Sequence, residues 1–147
     1  MTVDPSEVLS LLPQKEPVQW LDAVESLEPG SRIVARHDVP VDASYFEGHF
    51  PGEPVVPGVV QIDALVQAAA LLALATEAPL AGRRVLMMGL DRVRFRRRVA
   101  PGESLRLEVT VVSRRGPVWK VDGEASVAGE TATQARLLLN VGSADVR

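Results

Sequence analysis

The most strongly patterned part of the chain is an apolar run preceded by a segment rich in proline and glycine. Residues 59–75 are apolar except at Gln61, Asp63 and Gln67. Their alanine- and leucine-rich composition favours an α-helix, and a helix that is apolar on nearly every side should be buried. Three prolines and three glycines within residues 48–58 fix or free the backbone at nearly every second position. That segment is therefore predicted to be a loop.

Strand patterns and one short helix account for most of the remaining chain. Residues 6–12 read as a short helix that ends before Pro13. One long buried helix among mostly sequential, antiparallel strands is an α+β pattern, and the 147 residues are predicted to form one domain. The predicted strands are residues 18–24, 31–39, 85–99 (one strand or two abutting strands), 105–111, 117–128 and 131–141.

Composition narrows the class of protein. Hydrophobic residues at 46% and charged residues at 24% are ordinary for a soluble globular protein. A net charge of −3 gives no sign of general nucleic-acid affinity, so no nucleic-acid partner is expected. The absence of cysteine excludes disulfides, thiol nucleophiles and zinc-thiolate sites.

The apolar run also raises the question of a membrane span. It reaches only the lower edge of the required length and carries Asp63 near its start, so a buried core helix is expected instead. The N-terminal residues lack the basic region of a secretory signal, and a cytoplasmic location is expected. A helix that is apolar all round needs cover on several sides, more than one sheet of this size should supply. We therefore expect a dimer.

His49 and Asp63 are the titratable side chains associated with the loop and the helix start. Asp63 lies about one and a half turns into the helix, and Gln67 lies one turn later on the same face. The amides of Gly58 and Val59 would open the helix, where N–H groups lack intrahelical partners and the dipole is positive. A base, an acid and a polarised carbonyl oxygen suit removal of a proton α to a carbonyl with loss of a β-leaving group.

A purely structural interpretation of these residues stays open. Asp63 could be a buried polar group bonded to a loop, and His49 a loop residue bonded to the backbone. His37 lies on a predicted strand with no acidic partner implied and is interpreted as structural, and Glu53 is expected to face solvent. Two histidines without close ligand spacing give no basis for a metal site.

A longer motif surrounds the two candidate residues. Residues 48–59 read GHFPGEPVVPGV, and residues 63–69 read DALVQAA. This motif resembles the hotdog-fold (3R)-3-hydroxyacyl-[acyl carrier protein] dehydratases of the FabZ/FabA type. The resemblance extends to residues 11–13, 27–35 and 95–103, and so covers most of the chain.

The resemblance implies an antiparallel sheet wrapped around the long helix, and a homodimer whose active sites span the interface. His49 of one subunit would remove the C2 proton, and Asp63 of the other would protonate the departing C3 hydroxyl. The Gly58 amide would bind the thioester carbonyl, the Val55 carbonyl would orient His49, and Gln67 would hold Asp63. No cofactor is required, and a trimer of dimers stays open.

Three features depart from the usual family pattern. The FabZ branch usually has glutamate where this chain has Asp63, and aspartate is the FabA-type residue. Trp20 stands where smaller aliphatic residues are usual. Residues 13–17 (PQKEP) replace a Pro-His-Arg-Tyr-Pro segment that can line the substrate tunnel, so the substrate choice could differ.

Five arginines occupy the seven positions from 92 to 98. On a strand, Arg92, Arg94, Arg96 and Arg98 would share one face, with Arg97 on the other. Acyl carrier proteins are acidic, so the resemblance makes this cluster a predicted docking site for one. The alternative is a solvated strand face that discourages edge pairing.

The sequence therefore predicts a cytoplasmic lyase that dehydrates 3-hydroxyacyl-[acyl carrier protein] thioesters to trans-2-enoyl thioesters, in fatty acid or related acyl-chain biosynthesis. The alternatives are a hotdog acyl thioesterase and a catalytically inactive acyl-binding or partner subunit. The spacing between His49 and Asp63 argues against the first, and retention of both residues argues against the second. The sequence leaves open the acyl chain length, the preference for a substrate on carrier protein or on coenzyme A, and any isomerase activity.

Overall fold

The structure is a computed structural model that describes residues 5–76 and 84–143. An antiparallel sheet and one long helix dominate it. A short helix and two 3₁₀ turns, at Leu9–Leu11 and Ser44–Glu47, complete the regular structure. The helices are α1 (Pro5–Val8) and α2 (Gly58–Thr76), and the strands are β1 (Ala23–Glu28), β2 (Arg32–Asp38), β3 (Arg84–Phe95), β4 (Ser104–Arg115), β5 (Val118–Val127) and β6 (Glu130–Ser143).

The six strands form one antiparallel sheet in the order β1-β2-β4-β5-β6-β3, which leaves β1 and β3 at its edges. Helix α2 contacts strands β2 to β6. A Cβ atom at Gly123 of β5 would lie 3.3 Å from both Cδ atoms of Leu65, so the missing side chain lets the helix approach the sheet. The predicted α+β hotdog fold, with a sheet around one central helix, is confirmed.

Helix α2 is the core of the fold. Thirteen of its 19 residues are buried. The helix is long and apolar enough to cross a membrane, but here the sheet already occupies its apolar surface. Burial of this side-chain surface is the main driving force for wrapping the sheet around the helix.

Two strand predictions need correction. Residues 18–22 precede β1: the Trp20 backbone amide donates to the Gln67 side chain instead of a neighbouring strand, and the first bond to β2 is from the Asp22 amide to the Arg36 carbonyl at 2.8 Å. The segment predicted at residues 85–99 contains one strand, β3, which ends at Phe95 and leaves residues 96–99 outside it. Its pairing with β6 jumps between Asp91 and Arg94, where Arg92 has a φ of 54°.

The other predicted elements are observed with small changes of boundary. The N-terminal helix is α1 followed by the 3₁₀ turn, and the strands predicted at residues 31–39, 105–111, 117–128 and 131–141 correspond to β2, β4, β5 and β6. The connection between α2 and β3 at residues 77–83 and the chain end after residue 143 lie outside the described residues.

The connection between β3 and β4 is held by an ion pair. The Arg97 guanidinium donates two hydrogen bonds to the Glu103 carboxylate, at 3.2 and 3.1 Å, and also lies 3.5 Å from Glu130. Glu103 accepts a further bond from the Ala100 amide at 2.8 Å. Arg97, and then Ala100, hold the pKa of Glu103 below its usual value. The connection supports the proline-rich loop, because the Val99 carbonyl accepts the Val56 amide at 2.8 Å.

Replacing Glu103 by Gln should lower the free energy of unfolding at pH 7 by about 1 kcal/mol, because the partly exposed ion pair with Arg97 is lost. The folded pKa of Glu103 lies below its unfolded value, so its contribution is present above the unfolded pKa. It is lost as the pH falls through the folded pKa. Urea unfolding of E103Q and the unmodified protein at pH 7 and pH 3 measures this difference.

The exposed Glu25 supplies the control, and E25Q should show no deficit that depends on pH. A deficit of E103Q that is equal at both pH values would contradict the electrostatic origin.

Candidate active site

The loop before α2 folds back on itself and presents His49. Phe50 and Glu53 exchange backbone hydrogen bonds of 3.0 and 2.9 Å around Gly52, whose φ of 79° suits glycine. The Val55 amide donates to the His49 carbonyl at 2.9 Å. The His49–Phe50 peptide bond is cis. These contacts give His49 a defined backbone position next to the start of the helix.

The His49 ring is oriented by the loop that carries it. Its Nδ1 atom lies 2.8 Å from the Val55 carbonyl oxygen, and the ring stacks on Phe50 with centroids 4.1 Å apart. A carbonyl oxygen can only accept, so Nδ1 carries the proton in the neutral ring. Nε2 then keeps its lone pair. The Val55 carbonyl therefore fixes the tautomer in which His49 can act as a base.

Helix α2 starts at Gly58 directly after Pro57, whose carbonyl accepts the Val60 and Gln61 amides at 3.0 and 3.3 Å. Within the described residues, the amides of Gly58 and Val59 bond to no acceptor. Free N–H groups at the positive end of a helix dipole can polarise a carbonyl oxygen.

The Phe95 ring, at the end of β3, lies directly against Gly58. A Cβ atom on Gly58 would come within 2.7 Å of Phe95 Cε1. No other residue would leave the ring in this position, so glycine at the helix start allows the edge strand to pack closely against it.

Gln61 connects the loop, the helix and the sheet, a role that the sequence reading did not identify. Its side chain is 3% exposed, accepts a hydrogen bond from the Thr133 hydroxyl of β6, and lies 3.5 Å from the Val56 carbonyl. A buried amide requires such partners, because an unpaired one would be costly. The polar residue in an otherwise apolar stretch was the available signal.

Asp63 lies at the centre of a second hydrogen-bond cluster. Its Oδ2 atom accepts the indole N–H of Trp20 at 2.7 Å and lies 3.4 Å from Gln67 Nε2. The buried Gln67 amide also donates to the Val18 carbonyl at 2.7 Å and accepts the Trp20 backbone amide at 2.9 Å. The predicted proximity of Gln67 to Asp63 is therefore observed. Trp20 is the residue that sequence reasoning noted but gave no role.

The two candidate residues do not meet within one chain. His49 bonds to Val55 and Asp63 bonds to Trp20, and no hydrogen bond or ion pair joins His49 to Asp63 in the described part of the chain. Each is oriented by its own local contacts. In chemical terms, one chain holds a base with a fixed tautomer and, separately, a carboxyl group with one oxygen occupied by donors.

The expectation that His37 lacks an acidic partner is wrong. Its Nδ1 atom lies 3.1 Å from Asp22 Oδ2, and the His37 residue is 4% exposed. The sequence hid this pair because the partners lie on neighbouring chain segments 15 residues apart. Glu53 is exposed, as expected. No group of three or more His, Asp or Glu side chains suited to a metal ion occurs within residues 5–76 and 84–143.

The arginines at positions 92 to 98 differ in their bonding partners. Arg97 forms ion pairs with Glu103 and Glu130. Arg96 donates to Gln134 at 2.7 Å, and Arg94 donates to the Val93 carbonyl at 2.8 Å. Because β3 ends at Phe95, the predicted single strand face of Arg92, Arg94, Arg96 and Arg98 is not formed. All four of these side chains are nevertheless exposed.

Solved structures with a similar fold include a dehydratase heterocomplex and a hypothetical thioesterase. The dehydratase heterocomplex ApeI:P from Xenorhabdus doucetiae superposes with a TM-score of 0.76 at 18% identity, over 95% of this chain and 91% of the other. A hypothetical thioesterase with coenzyme A from Streptococcus pneumoniae gives a TM-score of 0.63 at 13% identity, over 80% and 83% of the two chains. At such identities these likenesses establish the fold alone.

Sequence comparison is more specific. The FabA-like domain family matches residues 12–136. The 3-hydroxyacyl-[acyl-carrier-protein] dehydratase FabZ of Myxococcus xanthus is 41% identical over 95% of this chain and 92% of its own length. The same-named protein of Magnetococcus marinus is 40% identical over 94% of this chain and 93% of its own length. With the motif, the fold and these matches all in agreement, the chain belongs to the FabA-like family.

Proposed function

We propose that this protein is a lyase that removes water from 3-hydroxyacyl thioesters carried on acyl carrier protein and forms trans-2-enoyl thioesters for fatty acid biosynthesis. The observation that carries the proposal is the pair of separately oriented groups: His49 with Nε2 unprotonated, and Asp63 with one oxygen that no donor of the described residues reaches. Relatives about 40% identical over nearly the whole chain bear the name of this activity.

His49 acts first on the substrate. Its Nε2 lone pair takes the proton from C2, and the electrons of that C–H bond form the C2=C3 double bond. The thioester carbonyl oxygen gains negative charge as this proton leaves. The free Gly58 amide at the start of α2 is suited to bind that oxygen, because it donates from the positive end of the helix dipole.

Asp63 completes the reaction. Its protonated carboxyl gives a proton to the C3 hydroxyl as the C3–O bond breaks, and the oxygen leaves as water with the bonding electrons. The carboxylate that remains recovers its proton from the imidazolium through solvent. The reaction needs no cofactor or metal, since the thioester itself acidifies the C2 proton.

Mass spectrometry of the protein incubated with a 2-enoyl thioester on carrier protein tests this assignment in the hydration direction. The unmodified protein should add one water to the acyl chain without cleaving the thioester. His49→Ala and Asp63→Asn should each lower kcat by about 100-fold or more, because each removes a general acid or base. Release of free acid would point to the thioesterase alternative, and no reaction at any chain length to an inactive acyl-binding subunit.

We propose further that the working form is a homodimer. Edge strand β3 exposes Leu86, Met87, Met88 and Leu90, each between 39% and 53% exposed. An exposed edge with apolar side chains is a surface that a second copy of the chain can cover. The absence of contact between His49 and Asp63 within one chain supports a site shared by two subunits.

Mixed dimers test the shared site directly. A dimer of one His49→Ala subunit and one Asp63→Asn subunit contains one site with both changes and one site with neither. Such dimers, purified through two different affinity tags, should recover about half of the unmodified activity, although each variant alone has lost most of it. If the mixed dimers stay inactive, base and acid come from the same chain. Each homodimer passed through the same two-tag procedure serves as the control.

The exposed arginines at positions 92, 94, 96 and 98 are proposed to bind the acidic carrier protein. Arg97 is a weaker candidate, because its charge is already paired with Glu103 and Glu130. Long-range attraction between complementary charges raises association rates and is screened by salt. The same proposal implies a cytoplasmic location, where acyl carrier proteins act. We also propose that the 147 residues form one domain.

Reversal of two of these charges, Arg94→Glu with Arg98→Glu, should raise KM for a carrier-linked substrate about fivefold at low salt while kcat changes little. The same variant should handle a small N-acetylcysteamine thioester normally, since that substrate carries no protein. Arg115→Glu, an exposed arginine at the end of β4, is the matched control. An equal loss on both substrates would contradict docking at this cluster.

A further inference from the structure

The contact between Trp20 and Asp63 gives the two carboxylate oxygens different surroundings. Oδ2 accepts the indole N–H at 2.7 Å and has the Gln67 amide nitrogen at 3.4 Å. Oδ1 has no hydrogen-bond partner within the described residues. Indole and amide N–H groups can only donate, so the oxygen that they face must offer a lone pair. A carbonyl-type oxygen accepts such bonds better than a hydroxyl oxygen, so when Asp63 is protonated these donors favour the proton on Oδ1.

The donor that creates this asymmetry is held from several sides. The Trp20 backbone amide donates to Gln67, and Gln67 also binds the Val18 carbonyl, so the chain segment before β1 is fixed to the middle of α2. The indole ring meets the rings of His37 and Tyr45 edge-on, with centroids 6.1 and 6.2 Å away. These contacts leave the indole little freedom to turn away from Asp63.

We infer that Trp20 is a positioning residue for the acid of the proposed dehydration, and that its indole N–H directs the Asp63 proton to Oδ1, the oxygen that faces the leaving hydroxyl. This inference rests on the proposed function. The indole has no direct contact with the acyl chain in this scheme. It acts through Asp63 alone, so it serves departure of the hydroxyl and not removal of the C2 proton by His49.

Because Trp20 serves only departure of the hydroxyl, the test measures one Trp20 variant on two substrates that differ in their leaving group. Trp20→Phe keeps an aromatic ring but removes the N–H donor. For a 3-hydroxyacyl thioester, whose hydroxyl must be protonated to leave, kcat should fall about tenfold with KM nearly unchanged. For the matching 3-chloroacyl thioester, which loses chloride without a proton, enzyme-catalysed elimination should stay within about twofold of the unmodified protein.

The ratio of the two rates is independent of the amount of folded protein, so partial misfolding of W20F cannot imitate the expected result. Trp119→Phe is the matched control: it makes the same change at a buried tryptophan of β5 whose ring lies against Arg114, and it should leave the ratio of the two rates unchanged. Equal losses of W20F on both substrates, or no loss on either, would overturn the role of Trp20 while leaving the proposed function intact. An unmodified protein that eliminates neither group would refute the proposed function, and this inference with it.

Discussion

The polar side chains on an otherwise apolar helix are the constraint on which the rest of this structure depends. A helix buried in a sheet can carry Gln61, Asp63 and Gln67 only if other parts of the chain supply hydrogen-bond partners, because unpaired buried polar groups are strongly unfavourable. Gln61 is matched by Thr133 and the loop. Asp63 and Gln67 are matched by the segment around Trp20. The requirement for partners therefore determines where the segments on both sides attach to the helix.

With this arrangement, His49 and Asp63 are oriented by two separate sets of contacts within one chain. The loop orients His49 through the Val55 carbonyl, and the helix with its attached segment orients Asp63. The orientation of His49 does not depend on Asp63, and that of Asp63 does not depend on His49. In the proposed dimer, association brings together two groups whose geometry is already set within their own chains. Orientation in advance of assembly reduces the entropy that the reaction itself would otherwise have to lose.

Much of the fold was predictable because its signals are local. The apolar run predicted α2, alternation predicted β2 and β4, and the segments between turns predicted β5 and β6, with boundaries close to those observed. The approximate position of Gln67 relative to Asp63 followed from helical spacing alone. The side-chain pairings made by residues outside the regular elements were not predicted. The sequence cannot indicate that Trp20 reaches across 43 positions to Asp63, or that Arg97 turns towards Glu103 because the strand has already ended.

The anchoring of the proline-rich loop has a consequence for motion. Val56 is bonded through its amide to the Val99 carbonyl and approached at its own carbonyl by Gln61, so the loop is fastened to the β3–β4 connection and to α2 at one residue. A segment fastened in this way has no free hinge at its helix end. It cannot swing open as an independent lid, and displacement of His49 requires the helix start and the neighbouring connection to move with it. In the proposed dimer, entry and exit of the acyl chain then depend on the shape of the passage between subunits and not on an opening of this loop.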